Sequence, residues 1–178
     1  MTARLRTSVE GLLLGAVACL VVGGALAAGD EVGQPAPALI VTTLDGHELD
    51  LKSLRGTVVV LNLWATWCPP CRAEMPMLDA FHRKFAPRGL TVLGMSADDK
   101  HDRKDVVKVM RAFSFPAALL AEAKVNALGM PTALPISYVI DATGVIRARL
   151  LPTREPLTEE HLAAIVAPLL APSDAATP

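Results

Sequence analysis

Aromatic residues are scarce in this chain: one tyrosine, two tryptophans and four phenylalanines make up 4% of it. A core must therefore be built mainly from Val, Leu, Ile and Ala. Charge of one sign is also lacking. Seventeen Lys and Arg against eighteen Asp and Glu leave a formal net charge of −1, which excludes a broad electrostatic footprint for nucleic acid. Three cysteines are too few for a disulfide-stapled scaffold. A mature domain of roughly 150 residues does not need staples, since it buries about 70% of the surface its unfolded chain exposes. There are no internal repeats. The 178 residues suit one domain with short additions.

The first thirty residues differ from the rest. Arg4 and Arg6 form a short basic region, Leu12 to Ala28 carries no charge, and Ala25-Leu26-Ala27 has the A-x-A form of a signal-peptidase site. Residues 1–28 read as a signal peptide or an N-terminal membrane anchor. Both readings export the rest of the chain, to the periplasm or the outer face of the cytoplasmic membrane. Cys19 lies within this apolar stretch, so the exported part keeps only Cys68 and Cys71.

Pro35-Ala36-Pro37 marks the entry to the folded domain, which is expected over 33–170, with a disordered tail over 171–178. Leu39 to Thr43 and His47 to Leu51 flank Asp45-Gly46, a hairpin signal. Val58 to Trp64 is a continuous apolar run suited to a strand buried on both faces. Met75, Leu78, Phe81 and Phe85 recur at helical spacing after Pro69 and Pro70, which are tolerated in a helix's first turn. A strand is expected over Leu90–Ser96, a surface helix over Asp98–Arg111, a short strand near Ala117–Leu120 and a short helix near Glu122–Leu128. Ile136 to Ile140 and Val145 to Leu151 form a second hairpin around Asp141–Gly144, and a last helix runs from Thr158 to about Leu170. Strands interleaved with helices predict a three-layer α/β/α sandwich with a mixed central sheet.

Cys68-Pro69-Pro70-Cys71 therefore sits where a strand hands over to a helix. Disulfide exchange needs an attacking thiolate and a second thiol near enough to resolve the mixed disulfide. At a helix start the first thiol is exposed and its pKa is lowered by the dipole and the free N–H groups, while the second lies one turn down. Cys68 is thus assigned as nucleophile and Cys71 as resolving cysteine. A bridge across two residues closes a tiny loop and would constrain little of the unfolded chain. A structural zinc needs four ligands. No further cysteine is present in the exported part, and His47, His82, His101 and His161 show no paired spacing.

Trp64-Ala-Thr-Trp-Cys-Pro-Pro-Cys-Arg-Ala-Glu-Met-Pro76 resembles the active-site segment of the thioredoxin superfamily, and more narrowly that of the exported TlpA/ResA-like thiol–disulfide oxidoreductases. Asn62-Leu63 before it, Leu54-Arg55-Gly56, and Ser137-Tyr-Val-Ile-Asp141 followed by Gly144 fit the same branch. The resemblance covers about residues 33 to 170 and implies a thioredoxin-like fold with an N-terminal β-hairpin extension. It implies a cis-proline beside the dithiol. Pro135 has the family's spacing to the following strand, and Pro131 reads as a loop proline. Trp67, Pro69, Pro70 and Pro135 would form the surface that meets substrate, with Trp64 in the core. Glu74 is either a residue that tunes the dithiol or a solvated helix carboxylate. Cytoplasmic thioredoxins carry a buried aspartate six residues before the first cysteine. Asn62 stands there, so the proton acceptor for Cys71 is left unassigned.

The expected activity is disulfide exchange with no cofactor beyond the redox-active Cys68–Cys71 pair. Pro69-Pro70 offers no histidine to stabilise a thiolate, and strong oxidants owe their power to a stabilised reduced form. A reductant is therefore expected, acting as a monomer on protein disulfides and recharged by a membrane thiol electron donor. Resemblance names apocytochrome c or copper-site cysteines as substrates. Two alternatives stay open: a peroxiredoxin-like peroxidase and a non-enzymatic dithiol that carries metal. Trp67 and the C-x-x-C do not suit the first, which needs a lone peroxidatic cysteine behind a Pro and a Thr.

Overall fold

A computed structural model describes residues 31–152 and 157–170. The expected export segment over 1–28 and the tail over 171–178 lie outside the described residues. The strands are β1 (Leu39–Thr42), β2 (Glu48–Asp50), β3 (Val58–Trp64), β4 (Leu90–Ser96), β5 (Ala117–Leu119), β6 (Val125–Asn126), β7 (Ile136–Ile140) and β8 (Ile146–Leu150). The α-helices are α1 (Pro69–Phe85), α2 (Arg103–Met110) and α3 (Glu159–Val166). Among the described residues no helix is long and apolar enough to cross a membrane.

The central sheet has the order β5-β4-β3-β7-β8. β3 runs parallel to β4, and β4 to β5, while β7 is antiparallel to both β3 and β8. This is the expected thioredoxin-like α/β arrangement with a mixed sheet and a closing hairpin. β3 is buried at every position, as its unbroken apolar run predicts. Its side chains alternate between two clusters. Val58, Val60 and Trp64 pack with Met75, Leu78 and Phe81 of α1, Val106 of α2 and Leu162 of α3. Val59, Leu61 and Leu63 pack with Leu39, Val41 and Leu51 of the N-terminal hairpin unit. The hairpin unit thus covers the second face of the sheet. Met75, Leu78 and Phe81 are fully buried, each stabilising the fold by about 1.5–3 kcal/mol.

The N-terminal hairpin forms around Gly46, whose φ of +94° suits a residue without a Cβ. It acquires a third strand that the sequence reading missed. The helix expected near Glu122–Leu128 is absent: a single 3-10 turn at Leu120–Glu122 leads into β6, antiparallel to β1. The free edge of β1 satisfies this segment's backbone. Lys124 N–H donates to Ile40 O at 2.8 Å and Ala127 N–H to Ala38 O at 2.9 Å. α2 begins at Arg103 and not at Asp98, because the Asp98 side chain is committed to Ser96 and Thr66. α3 ends at Val166, ahead of a 3-10 turn containing Pro168, which cannot donate a helical hydrogen bond. Thr158 caps its start by accepting the His161 N–H at 3.2 Å.

Candidate active site

β3 delivers the chain to Trp64, a three-residue loop follows, and Cys68 is the N-cap of α1. Its Sγ accepts the Cys71 N–H at 3.3 Å, taking the place of the usual capping oxygen. The two sulfurs are bonded at 2.00 Å, with the Cα atoms 5.3 Å apart, so this is the oxidised form. The expectation that Cys68 is exposed needs correction. Cys68 is 5% exposed and Cys71 2%, because the Cys68 sulfur turns inward onto the first turn of α1. What solvent meets is Trp67, 67% exposed, with the exposed rings of Pro69 and Pro70. Trp64 is fully buried, as expected.

The cis peptide bond lies at Leu134–Pro135 and not at Pro131. Ile136 pairs with Leu63, so Pro135 stands one step further, beside the end of β3 from which the dithiol loop departs. Its ring is buried. Its place in the register brings the chosen proline to the dithiol's end of the sheet.

Asn62 is 1% exposed and lies on the same face of β3 as Val60 and Trp64, the face on which α1 packs with Cys71. Its Nδ2 donates to Ser137 Oγ at 3.0 Å, while its buried Oδ1 has no hydrogen-bond partner among the described residues.

Glu74, read as tuning residue or solvated carboxylate, is not solvated. It is 9% exposed and follows Cys71 by three residues on α1, where side chains are neighbours. Burial pushes its pKa up, against one hydrogen bond that lowers it, from the Leu157 N–H at 3.3 Å. The cover that buries it comes from 83 residues downstream, beyond the reach of local periodicity.

Sequence reasoning missed Asp98. It is 1% exposed and binds Thr66, two residues before Cys68, through both the backbone N–H and the hydroxyl. The available signal was an acidic residue just past the end of a strand parallel to β3, where side chains reach the β3–α1 loop. Among the described residues, Asp99, His101 and Asp102 bring potential metal-ligating atoms together, but Asp99 and His101 are exposed, Asp102 is half-buried, and the group includes neither cysteine.

Residues 32–149 match the AhpC/TSA family. The chain is 33% identical over 122 residues to the thiol-disulfide oxidoreductase ResA of Bacillus cereus, covering 68% of this chain and 70% of that one. Among solved structures, a putative thiol:disulfide interchange protein DsbE from Chlorobium tepidum superposes with a TM-score of 0.67 at 26% identity, covering 78% of this chain and 97% of that one. A secreted thiol-disulfide isomerase from Corynebacterium glutamicum superposes with a TM-score of 0.61 at 26% identity, covering 75% and 83%. With a bonded C-x-x-C capping α1 in a thioredoxin-like fold, the chain belongs to the AhpC/TSA family and, within it, to the ResA-like thiol–disulfide oxidoreductases.

Proposed function

We propose that this oxidoreductase works outside the cytoplasm as a reductant of protein disulfides. The observation that carries the reading is the Cys68–Cys71 pair at the N-terminus of α1, with Cys68 as N-cap. In the reduced protein the Cys68 thiolate attacks a substrate disulfide. A Cys68–substrate disulfide forms and the first substrate thiolate leaves. Cys71 loses its proton and attacks the Cys68 sulfur, the second substrate thiolate leaves, and the bond seen here forms. Two electrons pass to the substrate, and its two thiolates take up the proton released by Cys71 and one from solvent. The sulfurs themselves carry the electrons, so the cycle uses no bound cofactor.

Glu74 is the proposed proton acceptor for Cys71. It sits one turn along the same helix, and burial raises its pKa above the ordinary carboxylate value, which makes it a better proton acceptor than an exposed carboxylate. Asn62 cannot serve, having no titratable proton. Trp67, Pro69 and Pro70 present an exposed apolar rim to an extended substrate, whose backbone pairs beside Pro135.

Export is supported by the basic and apolar N-terminal segment and by the secreted Corynebacterium neighbour. In an oxidising compartment a reductant needs resupply, which a membrane thiol donor provides to this monomeric protein. The substrates are partner-protein disulfides, with apocytochrome c and copper-site cysteines as the first to test. An equilibrium redox titration tests the direction of flow. A potential near that of thioredoxin, about −270 mV, supports it, and one near the strong oxidant DsbA, about −120 mV, contradicts it. Peroxide turnover faster than disulfide reduction would favour the peroxidase reading instead. Tight stoichiometric metal without insulin reduction would favour the carrier.

A further inference from the structure

A carboxylate buried just past the end of β4 is costly unless each of its oxygens is paired. Asp98 is 1% exposed, and both its oxygens are engaged. Oδ2 accepts the Thr66 backbone N–H at 3.0 Å and the Ser96 hydroxyl at 2.7 Å. Oδ1 accepts the Thr66 hydroxyl at 2.5 Å. The Asp98 N–H in turn donates to Ser96 Oγ at 3.0 Å. Three donors converge on one side chain, which suits a group that only accepts. Next to it, the Ala97 N–H donates to Trp64 O at 2.8 Å. The end of β4 therefore holds the β3–α1 loop on both sides of Ala65. Ala65 O accepts the Cys68 N–H at 3.2 Å, which carries the connection to the nucleophile's own backbone.

We infer that Asp98 is a positioning residue for Cys68. By fixing Thr66 it holds the Cys68 sulfur at the N-cap of α1, against the Cys71 N–H, which stabilises a thiolate where Pro69 and Pro70 have no N–H to offer. The inference rests on the disulfide-exchange reading of the same dithiol. Its physical content is that the clamp sets the reactivity of one thiol as well as the stability of the loop. A misplacement of about 1 Å can cost a hundredfold in rate, so a loosened loop has a kinetic signature.

The test uses reduced full-length protein and follows Cys68 alkylation by iodoacetamide against pH, with mass spectrometry to assign the site. Thr66→Val removes the hydroxyl donor while keeping the residue's shape and the Asp98 carboxylate. Thr66→Ser keeps the donor. Asp98→Ala removes the clamp, and Thr66→Val covers the case in which that variant fails to fold. The expected result for folded Thr66→Val is a reactivity midpoint shifted to higher pH and insulin reduction lowered about tenfold or more, with Thr66→Ser close to the parent. A Thr66→Val protein with the parental midpoint and rate overturns the inference. So does a Thr66→Ser protein as impaired as Thr66→Val. A parent protein that fails to reduce insulin overturns the exchange reading itself, which keeps the two failures distinct.

Discussion

Asn62 Nδ2 donates to Ser137 Oγ at 3.0 Å, joining the strand that leads to Cys68 to the strand that follows cis-Pro135. Both residues are buried, so the bond ties the two halves of the site together inside the core. Asn62→Ala should cost about 1–3 kcal/mol in urea unfolding, since it strands a buried hydroxyl. Asn62→Asp should behave differently. A carboxyl buried there has its pKa raised, so the folded state holds the proton more tightly than the unfolded chain. Stability should then be retained at low pH and lost as pH rises above about 4. Unfolding midpoints across pH 3 to 8 check this, and a pH-independent loss would contradict it.

Glu74 follows the same sign. Burial raises its folded pKa above the ordinary 4.5, so its contribution is fully present below that value and declines as pH climbs through the raised one. Glu74→Gln should remove this decline and make the protein more stable at neutral pH. It should also slow closure of the Cys68–Cys71 disulfide by about a hundredfold, the usual scale of general-base assistance. Stopped-flow fluorescence with a mixed-disulfide substrate reads the second effect. Unchanged closure would remove Glu74 from the proton path.

The second hairpin depends on Asp141, which carries a charge of opposite consequence. Its burial works to raise the pKa, but bonds from the Thr143 hydroxyl, the Val145 and Thr143 N–H groups and the Arg147 guanidinium overcome that and hold it at about 2. The folded value is depressed, so this stability is present above the unfolded value near 3.8 and lost as pH falls toward 2. Asp141→Asn should cost about 2 kcal/mol at pH 7 and much less at pH 2. Urea titrations at the two pH values make the comparison.

Trp67 offers a test of recognition without stability. A ring 67% exposed contributes little to the core, so Trp67→Ala should leave the unfolding free energy within about 0.5 kcal/mol. It should raise KM for insulin or another protein disulfide, and leave the rate with a small aromatic disulfide nearly unchanged. Equal losses on both substrates would show that Trp67 acts on the dithiol and not on the partner.

Much of the site was legible because its signals are local. β3 is a seven-residue apolar run, the hairpins carry Asp45-Gly46 and Asp141–Gly144, and Cys68 precedes two prolines that open a helix. The misreadings come from contacts far apart in sequence. Val125–Asn126 became a strand because β1, more than eighty residues earlier, had a free edge. Glu74 was ambiguous because Leu157 covers it from across the fold. Asp98 resembled the start of a charged helix, yet its carboxylate is consumed by Thr66, 32 residues back. Composition and periodicity do not encode such pairings. The exposure expected of Cys68 failed for a different reason: helix-start position predicts access to N–H groups, while the bonded sulfur turns inward toward Cys71.

The central claim is that Cys68 attacks substrate disulfides and Cys71 resolves them. Trapping measures this most directly. Cys71→Ser and Cys68→Ser proteins are expressed at equal levels in cells, thiols are quenched with acid, and mixed disulfides are identified by mass spectrometry. The account predicts that Cys71→Ser accumulates partner proteins joined through Cys68 while Cys68→Ser accumulates few. Trapping through Cys71 as efficient as that through Cys68, or no trapped partner in Cys71→Ser at normal expression, would contradict it.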